Sequence, residues 1–121
     1  MQDLGAISVL GDAFPEVTAG RSYYAAFHAV SAWFVLQGFE TTRHEAIRTA
    51  VHRDLVKAGS WTPEYGSRYD WLMTLRHVGD YAADREVTVE DAQAAAEWAR
   101  RLVLKVHEMK PDVFEMEEKA L

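Results

Sequence analysis

Arg21-Ser22-Tyr23-Tyr24-Ala25-Ala26-Phe27-His28 is the stretch on which the reading of the fold turns. Through it and beyond it, Tyr23, Phe27, Val30 and Phe34 recur at spacings of three and four residues, which makes one apolar stripe on an α-helix. Such a helix runs from about Pro15, tolerated in a first turn, to Gln37, with Gly38 as its stop. On its other side stand Arg21, Tyr24 and His28. Seven helical steps return to the same face about 20° short of two turns, with an axial rise of ~10 Å, and Tyr24 lies between the two ends. A guanidinium fork, a phenol and an imidazole on one face form a reasonable phosphate site, because Arg supplies planar donors and His moves a proton near neutral pH. On spacing alone, a solvated arginine and a half-buried histidine bonded to a carbonyl are the commoner outcome.

Working outward, the chain reads as helices from end to end. Asp3–Leu10 forms a short first segment interrupted by Gly5. After Gly38 a helix opens with Thr42 as cap and Glu45 reaching back as a capping box; it turns Ile47, Val51 and Leu55 inward and stops near Gly59. Thr62-Pro63 opens the next, which continues through Trp71, Leu75 and Val78. Thr88 with Asp91 forms a second capping box, before a helix that buries Ala92, Ala95, Ala99, Leu102 and Val106. Past Pro111 the acidic stretch 112–121 is a short helix or a frayed tail. Short connections favour antiparallel neighbours, so the expected fold is all-α, an up-and-down antiparallel bundle of four to five helices in a single domain spanning 1–121 with its core over about 14–110.

Composition sets the outer bounds. With 121 residues, 49 % hydrophobic and 26 % charged, the chain holds one core and is not disordered. It has no cysteine, so disulfides and thiolate metal sites are excluded. Apolar runs fall short of the ~20 residues of a membrane span, and the N-terminus lacks the pattern of a signal peptide, which leads to the expectation of a soluble cytoplasmic protein. The net charge of −6 requires any contact with RNA to be local or assisted by a partner. His77 with Asp80 or Tyr81, and His44 with Glu45 or His52, make no convincing three-ligand set, so neither metal nor cofactor is expected; His44, Arg48 and His52 read instead as an exposed polar stripe. Trp33, Trp61, Trp71 and Trp98 read as core or interface anchors.

The wording of the motif adds to this. Arg21-Ser22-Tyr23-Tyr24-Ala25-Ala26-Phe27-His28 closely resembles the R-x-Y-Y-A-x-F-H signature of HEPN domains (higher eukaryotes and prokaryotes nucleotide-binding), with six residues between Arg and His. In the same order, Thr42-Arg43-His44-Glu45-Ala46 looks like the family's T-H-K-G, and Asp54-Leu55-Val56-Lys57-Ala58-Gly59 like E-F-V-K-T-G. Leu75-Arg76 followed by Gly79-Asp80-Tyr81 is similar to L-R-x-x-A-D-Y, and Val87 to Ala92 resembles the opening of the final helix. The resemblance covers about Phe14 to Val106. The family's first helix is usually longer than what precedes Gly11, and His28 is followed by Ala29-Val30, so the His-x-Tyr extension of some toxin members, whose tyrosine a nucleotidyltransferase antitoxin modifies, is missing.

What the resemblance implies is a metal-independent ribonuclease, acting as a homodimer with two Arg–His motifs face to face, of the type found as toxins of toxin–antitoxin pairs. Arg21 and His28 are then the catalytic residues. Side chains lean toward the helix N-terminus, so the two do not meet within one chain, and a second copy of the helix is needed. Ser22, Tyr24 and His44 are expected to support substrate binding. Arg76, Asp80 and Tyr81 are expected to border the pocket, although Arg76 and Asp80 also have the spacing of a surface ion pair. The alternatives are a non-catalytic module that binds a nucleotide or a nucleotidyltransferase partner, and a purely structural dimerisation bundle.

Overall fold

A computed structural model describes residues 14–81 and 86–109, with the side chains of 79–81 excepted. The expected first segment Asp3–Leu10 and the acidic stretch 112–121 lie outside the described residues. Among the described residues there are four α-helices and no strand: α1 Pro15–Leu36, α2 His44–Ala50, α3 Pro63–Tyr81 and α4 Val89–Met109. The fold is the all-α bundle that the periodicity demands.

Most helix ends are local chemistry. Gly38, at φ +100°, closes α1 in a Schellman motif. Its N–H reaches Val35 C=O at 3.0 Å, the Phe39 N–H reaches Phe34 C=O at 3.0 Å, and the rings of Phe34 and Phe39 pack 4.7 Å apart. Thr62 Oγ1 accepts the Tyr65 N–H at 3.2 Å and so caps α3. The Thr88–Asp91 capping box forms in both directions, at 3.2 and 3.0 Å. The one expected for Thr42 and Glu45 does not. Here Arg43 is the cap residue and has no side-chain cap bond, so α2 starts one residue late and the Thr42 hydroxyl is out of register with the free N–H groups. Thr41 Oγ1 instead accepts the Arg43 N–H at 3.3 Å.

α2 also does not continue as an α-helix to Gly59. It runs into a π-helical turn, Val51–Val56, and the Lys57 N–H bonds His52 C=O five residues back. Val51 and Leu55 stay buried through the turn, while His52 faces α3. Gly66 of α3 is what admits the turn so closely: a Cβ there would lie 2.7 Å from Val56 Cγ2 and 3.2 Å from His52 Cε1.

The core is built on α1, which packs against both α3 and α4. Tyr23, Ala26 and Val30 are fully buried, as are Ala92, Ala95, Ala99, Leu102 and Val106 of α4, the five positions expected to face inward. Small residues on both helices let the backbones approach. The ends of α3 and α4 meet in opposite senses, since the Trp61 indole N–H just before α3 bonds Met109 Sδ at 3.3 Å at the end of α4. α2 and α3 are likewise antiparallel, with Arg48 against Asp70 and Val56 against Gly66. Trp61 is a core anchor; Trp33, Trp71 and Trp98 are half-buried.

Gly66→Ala is therefore expected to destabilise the chain. Overpacking costs about 1–3 kcal/mol, while helix propensity returns at most about 1. Urea unfolding should register a net loss, and Val56→Ala in the same chain should recover most of it, because the clash is with the Val56 methyl.

Candidate functional site

The polar face of α1 meets the start of α2 and the second half of α3. Arg21 and His28 are exposed and Tyr24 is half-buried between them. The Tyr24 and His28 rings stack 5.8 Å apart at 27°. From α3, the Arg76 guanidinium lies 5.0 Å from the Tyr24 ring centre and 5.9 Å from that of Tyr23, within cation–π range of both. His44, the first residue of α2, completes the group. It lies flat on Phe27, with centroids 4.2 Å apart at 16°, and its Nδ1 is 2.6 Å from the Tyr23 hydroxyl.

That short bond fixes the state of both partners. Burial pushes the Tyr23 hydroxyl above its ordinary value, so it keeps its proton and donates. His44 is pulled below the ordinary histidine value, chiefly by burial and then by the nearby Arg76 guanidinium and His28 ring, with Glu45 opposing. It is therefore neutral, accepting at Nδ1 and carrying its hydrogen on Nε2, which makes it a donor at the edge of the site. Below this pair, Tyr69 is fully buried with its ring 6.1 Å from Tyr23, and desolvation raises its hydroxyl too.

Of the expected site residues, Arg21, Tyr24 and His28 share a face, and His44 and Arg76 converge on it. Ser22 does not. It is fully buried on the inner side of α1, one helical turn from Thr18 and Ala26, where it touches the core. The side chains of Asp80 and Tyr81 lie outside the described residues. His44 leaves the exposed stripe in which it was expected with Arg48 and His52. Those two are held instead by Asp70, whose carboxylate oxygens are 3.0 Å from Arg48 Nε and 2.8 Å from His52 Nε2. Tyr23 and Phe27, read from sequence as core alone, turn out to orient His44. No periodicity signals this, since the contact spans 21 residues.

A comparison with known families matches residues 6–109 to the family described as HEPN domain. A protein of Thermotoga maritima described as UPF0332 protein is 31 % identical over 81 residues, which is 67 % of this chain and 59 % of that protein, so the chain spans about three fifths of the relative's length. No solved structure matches.

Acid should loosen this site first. His44 binds a proton less readily folded than unfolded, so its contribution to stability is complete above the ordinary value of 6.5 and is lost as pH falls through its lowered value. His44→Phe keeps the stack on Phe27 and cannot titrate. Urea midpoints taken across the acid range should fall less steeply for the variant than for the parent, and equal slopes would remove His44 from the account.

Proposed function

The chain belongs to the HEPN domain family, and on that premise we propose that it is a metal-independent ribonuclease that works as a homodimer, of the kind found as the toxin half of toxin–antitoxin pairs. The observation that carries the reading is the exposed stripe that starts at the N-cap residue of α1 and runs along the helix. Phe14, Arg21, His28 and Val35 recur every seven residues and all are exposed, Phe14 by 53 % and Val35 by 49 %. A seven-residue repeat is the period along which two helices pack in a left-handed seam. The two apolar residues flank the two polar ones, so a partner that covers the apolar ends encloses the pair between them.

The spacing also supports one direction of pairing. Parallel copies set Arg21 against Arg21, which is repulsive. Antiparallel copies crossing between Tyr24 and Ala25 set Arg21 against His28 of the partner subunit, and Phe14 against Val35 of the partner subunit. Each cleft then takes its arginine from one chain and its histidine from the other.

In such a cleft His28 accepts the proton of an RNA 2′-hydroxyl as its oxygen attacks the adjacent phosphorus. Arg21 and the His44 Nε2–H stabilise the charge that gathers on the phosphoryl oxygens. The bond to the 5′-oxygen breaks, and that oxygen takes its proton from water. The products are a 2′,3′-cyclic phosphate and a 5′-hydroxyl, and a strand with deoxyribose at the scissile position is inert. Tyr24 positions His28 through their stack.

With mixed RNAs in EDTA, the parent should leave cyclic-phosphate ends, and His28→Ala should lose about 10²–10⁴-fold in rate. The composite cleft has its own test. Arg21→Ala and His28→Ala chains are each inactive, but mixed and allowed to exchange they should regain about a quarter of the parent activity, because half the dimers hold one complete cleft of two. No recovery, with exchange verified, would place both residues in one chain's site. If the parent cuts no RNA yet binds nucleotide or a nucleotidyltransferase, the chain is a binding module.

A further inference from the structure

Glu45 and Arg48 of α2 line two grooves at once. One, of about 240 Å³, runs between α2 and α3 and is bordered by Arg76 and His77. The other, of about 550 Å³, continues past the end of α2 along the π-helical turn, by His52, Arg53 and Lys57. Sharing those two residues, the grooves make one path. At its inner end Arg76 lies on Tyr24, which stacks on His28. At its outer end is the exposed Lys57, just past the π-helical turn.

The path is basic in a chain whose net charge is −6. Glu45 is the one acid among the described residues that line it. Two arginines are anchored without being used up. Arg48 Nε is 3.0 Å from Asp70, and Arg53 grips Asp54 through two bonds of 2.9 Å. A guanidinium has five N–H donors, so each retains donors for a second acceptor while its stem is held still. Arg48, Arg53 and Lys57 recur at four to five residues through the end of α2 and the π-helical turn, so cationic groups follow one another along the path.

We infer that this path binds the phosphate backbone of an unpaired RNA strand, carrying it from the Arg21–His28 cleft outward along α2. This course rests on the ribonuclease chemistry above and extends it to the substrate's length. A single strand fits for two reasons. A groove along one helix matches one backbone rather than the width of a duplex, and in-line attack by a 2′-oxygen needs a backbone free to leave A-form geometry. Arg76 and His77 receive the phosphate next to the scissile one, and Arg48, Arg53 and Lys57 those that follow.

The test uses the full chain with His28→Ala, so that RNA is held and not cut, and a fluorescein-labelled unpaired RNA about a dozen nucleotides long, read by anisotropy. Adding Arg53→Gln and Lys57→Gln should weaken binding about tenfold and lower the slope of log affinity against log salt by roughly 1.4, since each single-strand phosphate contact contributes about 0.7. Arg100→Gln with Arg101→Gln removes the same charge from α4 and should leave that slope unchanged. Equal losses in both pairs would overturn the path, as would a duplex of the same sequence that binds as tightly. Oligoglutamate competing as well as RNA would overturn it too and assign the surface to an acidic protein. Cleavage is read separately with His28 in place: RNA held along α2 by a chain that cuts nothing supports the path and refutes the chemistry, whereas cleavage indifferent to Arg53 and Lys57 refutes the path and leaves the chemistry standing.

Discussion

The 2.6 Å hydrogen bond from the Tyr23 hydroxyl to His44 Nδ1 is the joint on which the site depends. Tyr23 is fully buried and belongs to the core stripe of α1, whereas His44 is the first residue of α2 and only half-buried. Their bond lets the core specify where α2 begins. It also settles the histidine's charge. A protonated imidazole has no acceptor to offer Tyr23, would sit near Arg76 and His28, and would bring charge onto the face of Phe27. Kept neutral, the ring satisfies the tyrosine, stacks on the phenylalanine and turns its remaining N–H toward the polar face. One contact thus holds the first residue of α2 against the core, where Arg43 carries no side-chain cap bond.

α1 has to serve the core and the site together, and its period divides the two tasks. Tyr23, Phe27, Val30 and Phe34 face inward while Arg21, Tyr24 and His28 face outward, so a polar site is built on a helix packed into the core rather than on a loop. Rigidity has value here. Phosphoryl transfer to an internal hydroxyl is governed by alignment, and donors held by packing need no reorganisation as charge develops. The exposed Phe14, Val17, Val35 and Leu36 are the counterpart of that arrangement. In an isolated chain such residues are a cost in water, and they lie on both sides of the pair for which we propose a second copy.

What was legible in the sequence was local. The α1 stripe, the stop at Gly38, the Thr62 cap and the Thr88–Asp91 box each depend on residues a few positions apart, and each is present. The π-helical turn was not legible, because it answers to Gly66 in another helix. Nor were the orientation of His44 and the capture of Arg48 and His52 by Asp70, which span 18 to 22 residues. Of the polar stripe expected along α2, His44 turns to Tyr23 and Phe27 while Arg48 and His52 gather on Asp70. Ser22 failed for a different reason: it stands next to Arg21 in the chain, and on a helix adjacent residues point about 100° apart, so proximity in the motif took it to the core rather than to the site.

Net charge is a poor guide to what such a surface binds, since it averages over parts that a ligand never meets together. Half of the −6 falls in the last eleven residues, where Asp112, Glu115, Glu117 and Glu118 outnumber Lys119. Along α2 and the turn after it the balance reverses, with Arg43, Arg48, Arg53 and Lys57 against Glu45 and Asp54. At physiological salt a charge is felt over about 8 Å, less than the length of one helix, so a phosphate on α2 responds to the local balance and not to the total. The homodimer we propose carries this further. Its two-fold axis between Tyr24 and Ala25 brings together an arginine and a histidine from different chains, whereas the path along α2 belongs to one chain alone. On that proposal the separated monomer has the path but not the chemistry, and association is the step that arms the site.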